Sequence, residues 1–112
     1  YAPHCPLVVM ATPEADEVLA LAADVGIDVL FEAFSDRAYS DEGRLVKRSV
    51  KNAVHSTPDA IEKQVTQIIT EGSVTSISGK RIPIKADTLC IHGDSQHAVE
   101  AARHMRKVVE SL

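Results

Sequence analysis

Short apolar runs alternate along this chain with segments whose apolar residues recur every three or four positions. Leu7 to Met10 is a continuous apolar run, the pattern of a strand covered on both faces. Thr12-Pro13 then offers a helix N-cap with proline at the first helical position. Ala15, Val18, Leu19, Ala22 and Val25 follow at helical spacing, and Gly26 supplies the stop. Ile27 to Phe34 reads as a second strand. Thr57-Pro58 repeats the capping device, Ile61, Val65, Ile68 and Ile69 make a second stripe, and Gly72 ends it. Ser73 to Ile77 and Ile82 to Ile84 can pair as a small hairpin around Ser78-Gly79-Lys80-Arg81. Thr88 to His92 reads as a strand, and the last helix presents Ala98, Val99, Ala102, Met105, Val109 and Leu112. The pattern predicts parallel strands near 7–10, 28–34 and 88–92, with helices near 13–25, 58–71 and 95–111.

Strands alternating with helices define an α/β protein with a parallel sheet. Right-handed crossovers place all the helices on one sheet face and leave the other uncovered. A closed eight-stranded barrel needs about 250 residues. With 112 residues, the chain reads as a single partial domain, 1–112, supplying about three βα units of a barrel rather than a small open sandwich. The opening, Tyr1-Ala2-Pro3-His4-Cys5-Pro6, lacks an initiator Met and leads almost directly into an apolar run. That suggests a processed or excised chain.

Composition narrows the function classes. Twelve basic against sixteen acidic residues give a formal charge of −4, and no basic run interleaved with aromatics suggests nucleic acid. No apolar stretch approaches the roughly 20 residues that span a bilayer. Two cysteines cannot build a disulfide scaffold, so a reduced, cytoplasmic setting is expected.

The chemistry concentrates at two strand ends, where α/β folds gather ligands. The second strand runs into "FEAFSDRAYSDEGRLVKR", residues 31–48. Period-2 alternation puts Glu32, Phe34 and Asp36 on one face and Phe31, Ala33 and Ser35 on the other. A glutamate in so apolar a strand is costly unless partnered, or lies on an edge or polar face. Arg37 and Arg48 suit an anion such as carboxylate or phosphate, although a local Asp36–Arg37 pair is the plainer reading. The third strand carries Thr88, Cys90 and His92 on one face, with Leu89 and Ile91 turned to the helices. Gly93 permits close backbone approach, and Asp94 or Ser95 can cap the helix that follows. Asp36, Arg37, His92 and Asp94 are therefore expected at one sheet edge. Segment 35–55 is too long for an ordinary connection and is a candidate functional loop.

Other chemistries fit less well. Cys90-x-His92-x-Asp94 could ligate a metal, but a cysteine inside a strand is more often core. Glu32 and Asp36 lie about 13 Å apart along a strand, beyond the ~5–9.5 Å of a glycosidase pair. No Walker loop, G-x-G-x-x-G or nucleophile elbow is present. His55, His97 and His104 read as solvated.

The two stretches also carry a resemblance. "EAFSDRAYSDEGRLVKR" resembles the E-x-F-A-D-R-x-Y-x-x-D/E-G-x-L-x-x-R block of the LamB/YcsF family, the A subunits of 5-oxoprolinase. "ADTLCIHGDSQHAV" is similar to that family's T-x-C-x-H-G-D block, and "SVTSISGKRIPIKAD" falls between them as its V-x-S-I-x-G stretch does. The resemblance implies a (β/α) barrel-like fold of the glycoside hydrolase/deacetylase type, of which this chain looks like the C-terminal portion. It also implies ATP-dependent opening of the 5-oxoproline lactam to L-glutamate, with partner subunits B and C. Glu32, Asp36, Arg37, Tyr39, Gly43, Arg48, Thr88, His92, Gly93 and Asp94 match the motifs. Ser35 replaces the usual Ala, Lys47 the usual Pro, and Asn52 the usual Gly.

Three functions follow as expectations. In the first, a lactam hydrolase, Asp36, His92 and Asp94 handle protons. Glu32, Arg37, Tyr39, Arg48, Thr88 and Gly93 then line substrate or phosphate, with no metal assigned. The second is a metal-dependent, deacetylase-like carbohydrate-active barrel. The third is a non-catalytic partial-barrel module. The family's N-terminal polar blocks have no counterpart here, so the chain alone is expected to be inactive.

Overall fold

The computed structural model describes residues 5–92 and 98–112. Its elements run β1 (Leu7–Met10), α1 (Ala15–Val25), β2 (Val29–Phe34), α2 (Pro58–Glu71), β3 (Ser73–Thr75), β4 (Arg81–Pro83), β5 (Thr88–Cys90) and α3 (Ala98–Glu110). β1, β2 and β5 form a parallel sheet in the order β1-β2-β5, and β3 and β4 form a separate antiparallel hairpin. The α/β class and the parallel strands are those the sequence predicts.

Register fixes which side chains share a face. Val8 stands beside Leu30, Met10 beside Glu32, Glu32 beside Thr88, and Phe34 beside Cys90. The opposite face carries Phe31 and Ala33, both buried. Around them collect Ala11 and Ala15, Ile68 of α2, and Val74, Ile82 and Ile84 of the hairpin region. A second cluster joins Val65 of α2 to Met105 and Val108 of α3, with Leu89 and Ile91 against it. The helices therefore cover one face, as right-handed crossovers require. On the other, Val8 is 50% exposed and Leu30 38%, so an apolar strip of sheet faces water. Among the described residues, β1 and β5 each lack a strand partner on their outer side.

Side chains and caps set the element ends. Asp87 closes the approach to β5: its carboxylate accepts the Phe31 N–H at 2.9 Å, and its own N–H donates to the Phe31 carbonyl at 2.8 Å. The Thr57 hydroxyl accepts the Ala60 N–H at 3.3 Å, with Pro58 opening α2, as the sequence predicts. Gly26 and Gly72 end α1 and α2 in the left-handed conformation.

Elsewhere the structure departs from the sequence reading. α1 starts at Ala15, with Glu14 at the cap position and no side-chain cap bond, so Thr12-Pro13 does not act as the capping pair. Pro13 instead lies against Gly43 of the long loop. The last strand stops at Cys90, two residues early, and β4 begins at Arg81 rather than Ile82. The buried stripe of α3 is Met105 and Val108, with Ala98 and Ala101 half-buried. Ala98 and Met105 belong to the expected face, whereas Val99, Ala102, Val109 and Leu112 are exposed, because the buried face is turned partway toward Ala101 and Val108. Residues 35–55 are folded rather than loose. Ala38, Tyr39 and Ala53 are buried, isolated bridges join Arg37 to Val54 and Tyr39 to Leu45, and the Ile77 N–H reaches the Tyr39 carbonyl at 2.9 Å.

Candidate functional site

β2 and β5 are parallel neighbours, so their carboxyl ends lie side by side. Two residues beyond each, Asp36 and His92 meet. His92 Nδ1 lies 2.8 Å from Oδ1 and 2.9 Å from Oδ2 of Asp36. The side chains are 25% exposed for His92 and 14% for Asp36, so the pair is largely withdrawn from water. A carboxylate can only accept, so a neutral His92 must carry its proton on Nδ1. Its Nε2 then presents a lone pair. Phe34 backs the imidazole, with ring centroids 5.8 Å apart and planes inclined by 29°.

The strand ends are stapled together behind this pair. The Ser35 N–H and hydroxyl both donate to the Cys90 carbonyl, at 3.1 and 2.8 Å. Tyr39 is fully buried, and its phenolic oxygen accepts the Phe34 N–H at 2.9 Å, closing the end of β2. Burial pushes the Tyr39 phenol above its ordinary pKa, against the lowering effect of the Phe34 N–H. The Cys90 thiol is raised too, first by burial and then by the nearby carboxylates of Glu32 and Asp36.

The predicted residues divide by position. Asp36 and His92 touch, while Glu32 and Thr88 are register partners, half-buried on the same open face. Arg37 does not pair with Asp36. Its Nη2 donates to the Val46 carbonyl at 2.8 Å, and its Nε is buried without a partner. Tyr39 is sealed beneath the strand end, and Arg48 is exposed on the long loop. Gly93 and Asp94 lie outside the described residues, as do Ser95 and His97. Among the described residues, no group of three or more His, Cys, Asp or Glu side chains could hold a metal ion.

Sequence reasoning missed Gln64 and misread His55. Gln64 is 6% exposed on the buried side of α2. Its Nε2 donates to the carbonyls of Phe34 (2.7 Å) and Arg37 (2.9 Å), with that of Ser35 at 3.4 Å. His55 is not free in solvent: its Nε2 stands 3.0 Å from Gln64 Oε1, and its N–H donates to the Asp36 carbonyl at 2.8 Å. The available signal was a polar residue inside the apolar stripe Ile61, Val65, Ile68. His104 matches expectation, exposed and 3.0 Å from Glu62.

The chain is an α/β protein whose parallel sheet carries a polar pair at its carboxyl edge, the edge where ligands gather in such folds. The LamB/YcsF family profile matches residues 2–112, and the chain belongs to that family. Over 107 residues it is 45% identical to the 5-oxoprolinase A subunit of Vibrio cholerae serotype O1, covering 96% of this chain and 44% of that protein. Over 112 residues it is 39% identical to the 5-oxoprolinase A subunit of Chromohalobacter salexigens, covering all of this chain and 45% of that protein. The crystal structure of a lactam utilization protein from Thermus thermophilus superposes with a TM-score of 0.81 at 33% identity. That match covers 97% of this chain and 42% of the other. The chain thus spans less than half the length of these relatives.

Proposed function

We propose that this chain supplies the proton-transfer edge of a hydrolase that opens 5-oxoproline to L-glutamate. The Asp36–His92 pair carries the reading. Opening a lactam requires water to attack the carbonyl carbon, the C–N bond to break, and the released nitrogen to gain a proton. His92 Nε2 accepts the proton from the attacking water and returns it to the leaving nitrogen. Asp36 holds the ring in the tautomer that frees Nε2 and stabilises the imidazolium between the two transfers. The site's limited exposure strengthens that stabilisation, since charges interact more strongly where water is scarce.

Relatives named as one lettered subunit of 5-oxoprolinase support a multi-subunit enzyme, for which subunits B and C are the proposed partners. ATP fits the described residues poorly. Arg37 is engaged by a backbone carbonyl, and no glycine-rich loop follows a strand among them. ATP use is therefore assigned to the rest of the assembly. So is the cover for the open sheet face, which in a barrel of the deacetylase type would turn inward.

The test joins the chain to the upstream region of a LamB/YcsF relative, adds the partner subunits, and follows ATP-dependent glutamate release. The 112-residue chain alone should release none. His92→Ala in the assembly should lower the rate about 10²–10⁴-fold, the usual contribution of a positioned acid–base group. An unchanged rate would return His92 to a purely structural role.

A further inference from the structure

We infer that Gln64 is the positioning residue of the Asp36–His92 pair, an inference that rests on reading that pair as the proton-transfer site. Asp36 belongs to no strand, yet its carboxylate must be held steady against an imidazole from a different strand. The backbone on both sides of it is clamped to α2. Gln64 Nε2 donates to the Phe34 and Arg37 carbonyls, at 2.7 and 2.9 Å, and the Ser35 carbonyl lies 3.4 Å away. The remaining carbonyl of the turn, that of Asp36, accepts the His55 N–H at 2.8 Å. Every carbonyl from 34 to 37 is thereby turned toward α2 and its entry segment. On the neighbouring strand, Ser35 grips the Cys90 carbonyl two residues before His92. The same turn that presents Asp36 therefore also locates the strand end from which His92 projects.

The amide orientation is dictated by its surroundings. Carbonyls only accept, so Nε2 must face them and Oε1 must face His55. A neutral His55 is then required to carry its proton on Nε2, the reverse of the tautomer required of His92. One buried amide on α2 thus sets the His55 tautomer directly and holds the turn whose Asp36 sets the opposite tautomer in His92.

Long-range ¹H–¹⁵N correlation of the imidazole nitrogens tests this without substrate. Spectra are taken at pH 8.5, about two units above the ordinary histidine pKa of ~6.5. In the wild-type protein His92 should be Nδ1–H and His55 Nε2–H. Gln64→Met keeps the side-chain length but removes the donor. In that variant, with far-UV circular dichroism unchanged, His92 should lose its Nδ1–H preference. Gln64→Asn, which withdraws the amide by one methylene, is read in the same way should Gln64→Met not fold. A folded variant that melts lower but keeps His92 as Nδ1–H would overturn the positioning role. Finding wild-type His55 as Nδ1–H would overturn the clamp itself. A failure of the catalytic reading is distinguishable, because it leaves the tautomers in place while His92→Ala leaves glutamate release unchanged.

Discussion

Gly43 and Gly26 both have a positive φ, +80° and +72°, but different surroundings. A Cβ at Gly26 would meet nothing within 4 Å, whereas one at Gly43 would overlap the Pro13 ring and press on Ile82 Cγ2 at 3.3 Å. Alanine at Gly26 incurs only the left-handed conformational cost, about 1 kcal/mol. At Gly43 the same cost is joined by an overlap that a proline ring, fixed at φ, cannot relieve by rotating. Overpacking of that kind adds roughly 1–3 kcal/mol, so Gly43→Ala should destabilise by about 2–4 kcal/mol. Urea titration of both variants, extrapolated to water, reads the difference directly. In thermal melts each kcal/mol corresponds to roughly 4 °C for a chain of this size. Pro13→Ala combined with Gly43→Ala should recover much of the excess. Equal losses for Gly26→Ala and Gly43→Ala would refute the proposed contact between the β1–α1 turn and the long loop.

Tyr39→Phe leaves the buried Phe34 N–H without its acceptor and should cost about 1–3 kcal/mol in urea titration; a neutral substitution would mean another acceptor takes that N–H. Asp41 accepts the hydroxyls of Ser76 (2.5 Å) and Ser78, which hold its carboxyl below the usual value of 3.8. Because the folded pKa is the lower one, this contribution is present above pH 3.8 and is lost as pH falls through the folded value. Asp41→Asn should therefore flatten stability against pH below about 4, and an unchanged acid limb would contradict the contact. Cys90, half-buried with its thiol raised by burial, should react with a maleimide more slowly than exposed Cys5. Mass spectrometry of partially labelled protein checks the order.

Local signals were sufficient for the framework. Thr57-Pro58 and Gly72 bound α2 because a hydroxyl cap, a fixed φ and a left-handed stop act on adjacent residues. Alternation sorted Glu32, Phe34 and Asp36 from Phe31, Ala33 and Ser35 because strand geometry has a period of two. Asn52, standing where the family usually has Gly, proved to sit at φ 65°, a conformation asparagine tolerates better than most residues. The Asp36–His92 edge was also legible, since each residue follows a strand and parallel strands bring their ends together.

Contacts between segments far apart in sequence were decided only by the tertiary structure. The expected α3 stripe already held Met105, and packing against Val65, Leu89 and Ile91 added Val108 in place of Val109. The 35–55 segment looked like a polar loop because its order comes from bridges, the Tyr39 cap and the Pro13–Gly43 contact, none of which has a periodicity. Arg37 read as an anion holder, yet Nη2 turned to Val46 within its own loop. Gln64 carries no local signal beyond being a polar residue beside Ile61, Val65 and Ile68, while the fold places it beneath the carbonyls that need its donors. Periodicity records which side of an element faces inward. It does not record what the side chain meets there, because a hydrogen bond spanning some thirty residues depends on how whole elements dock.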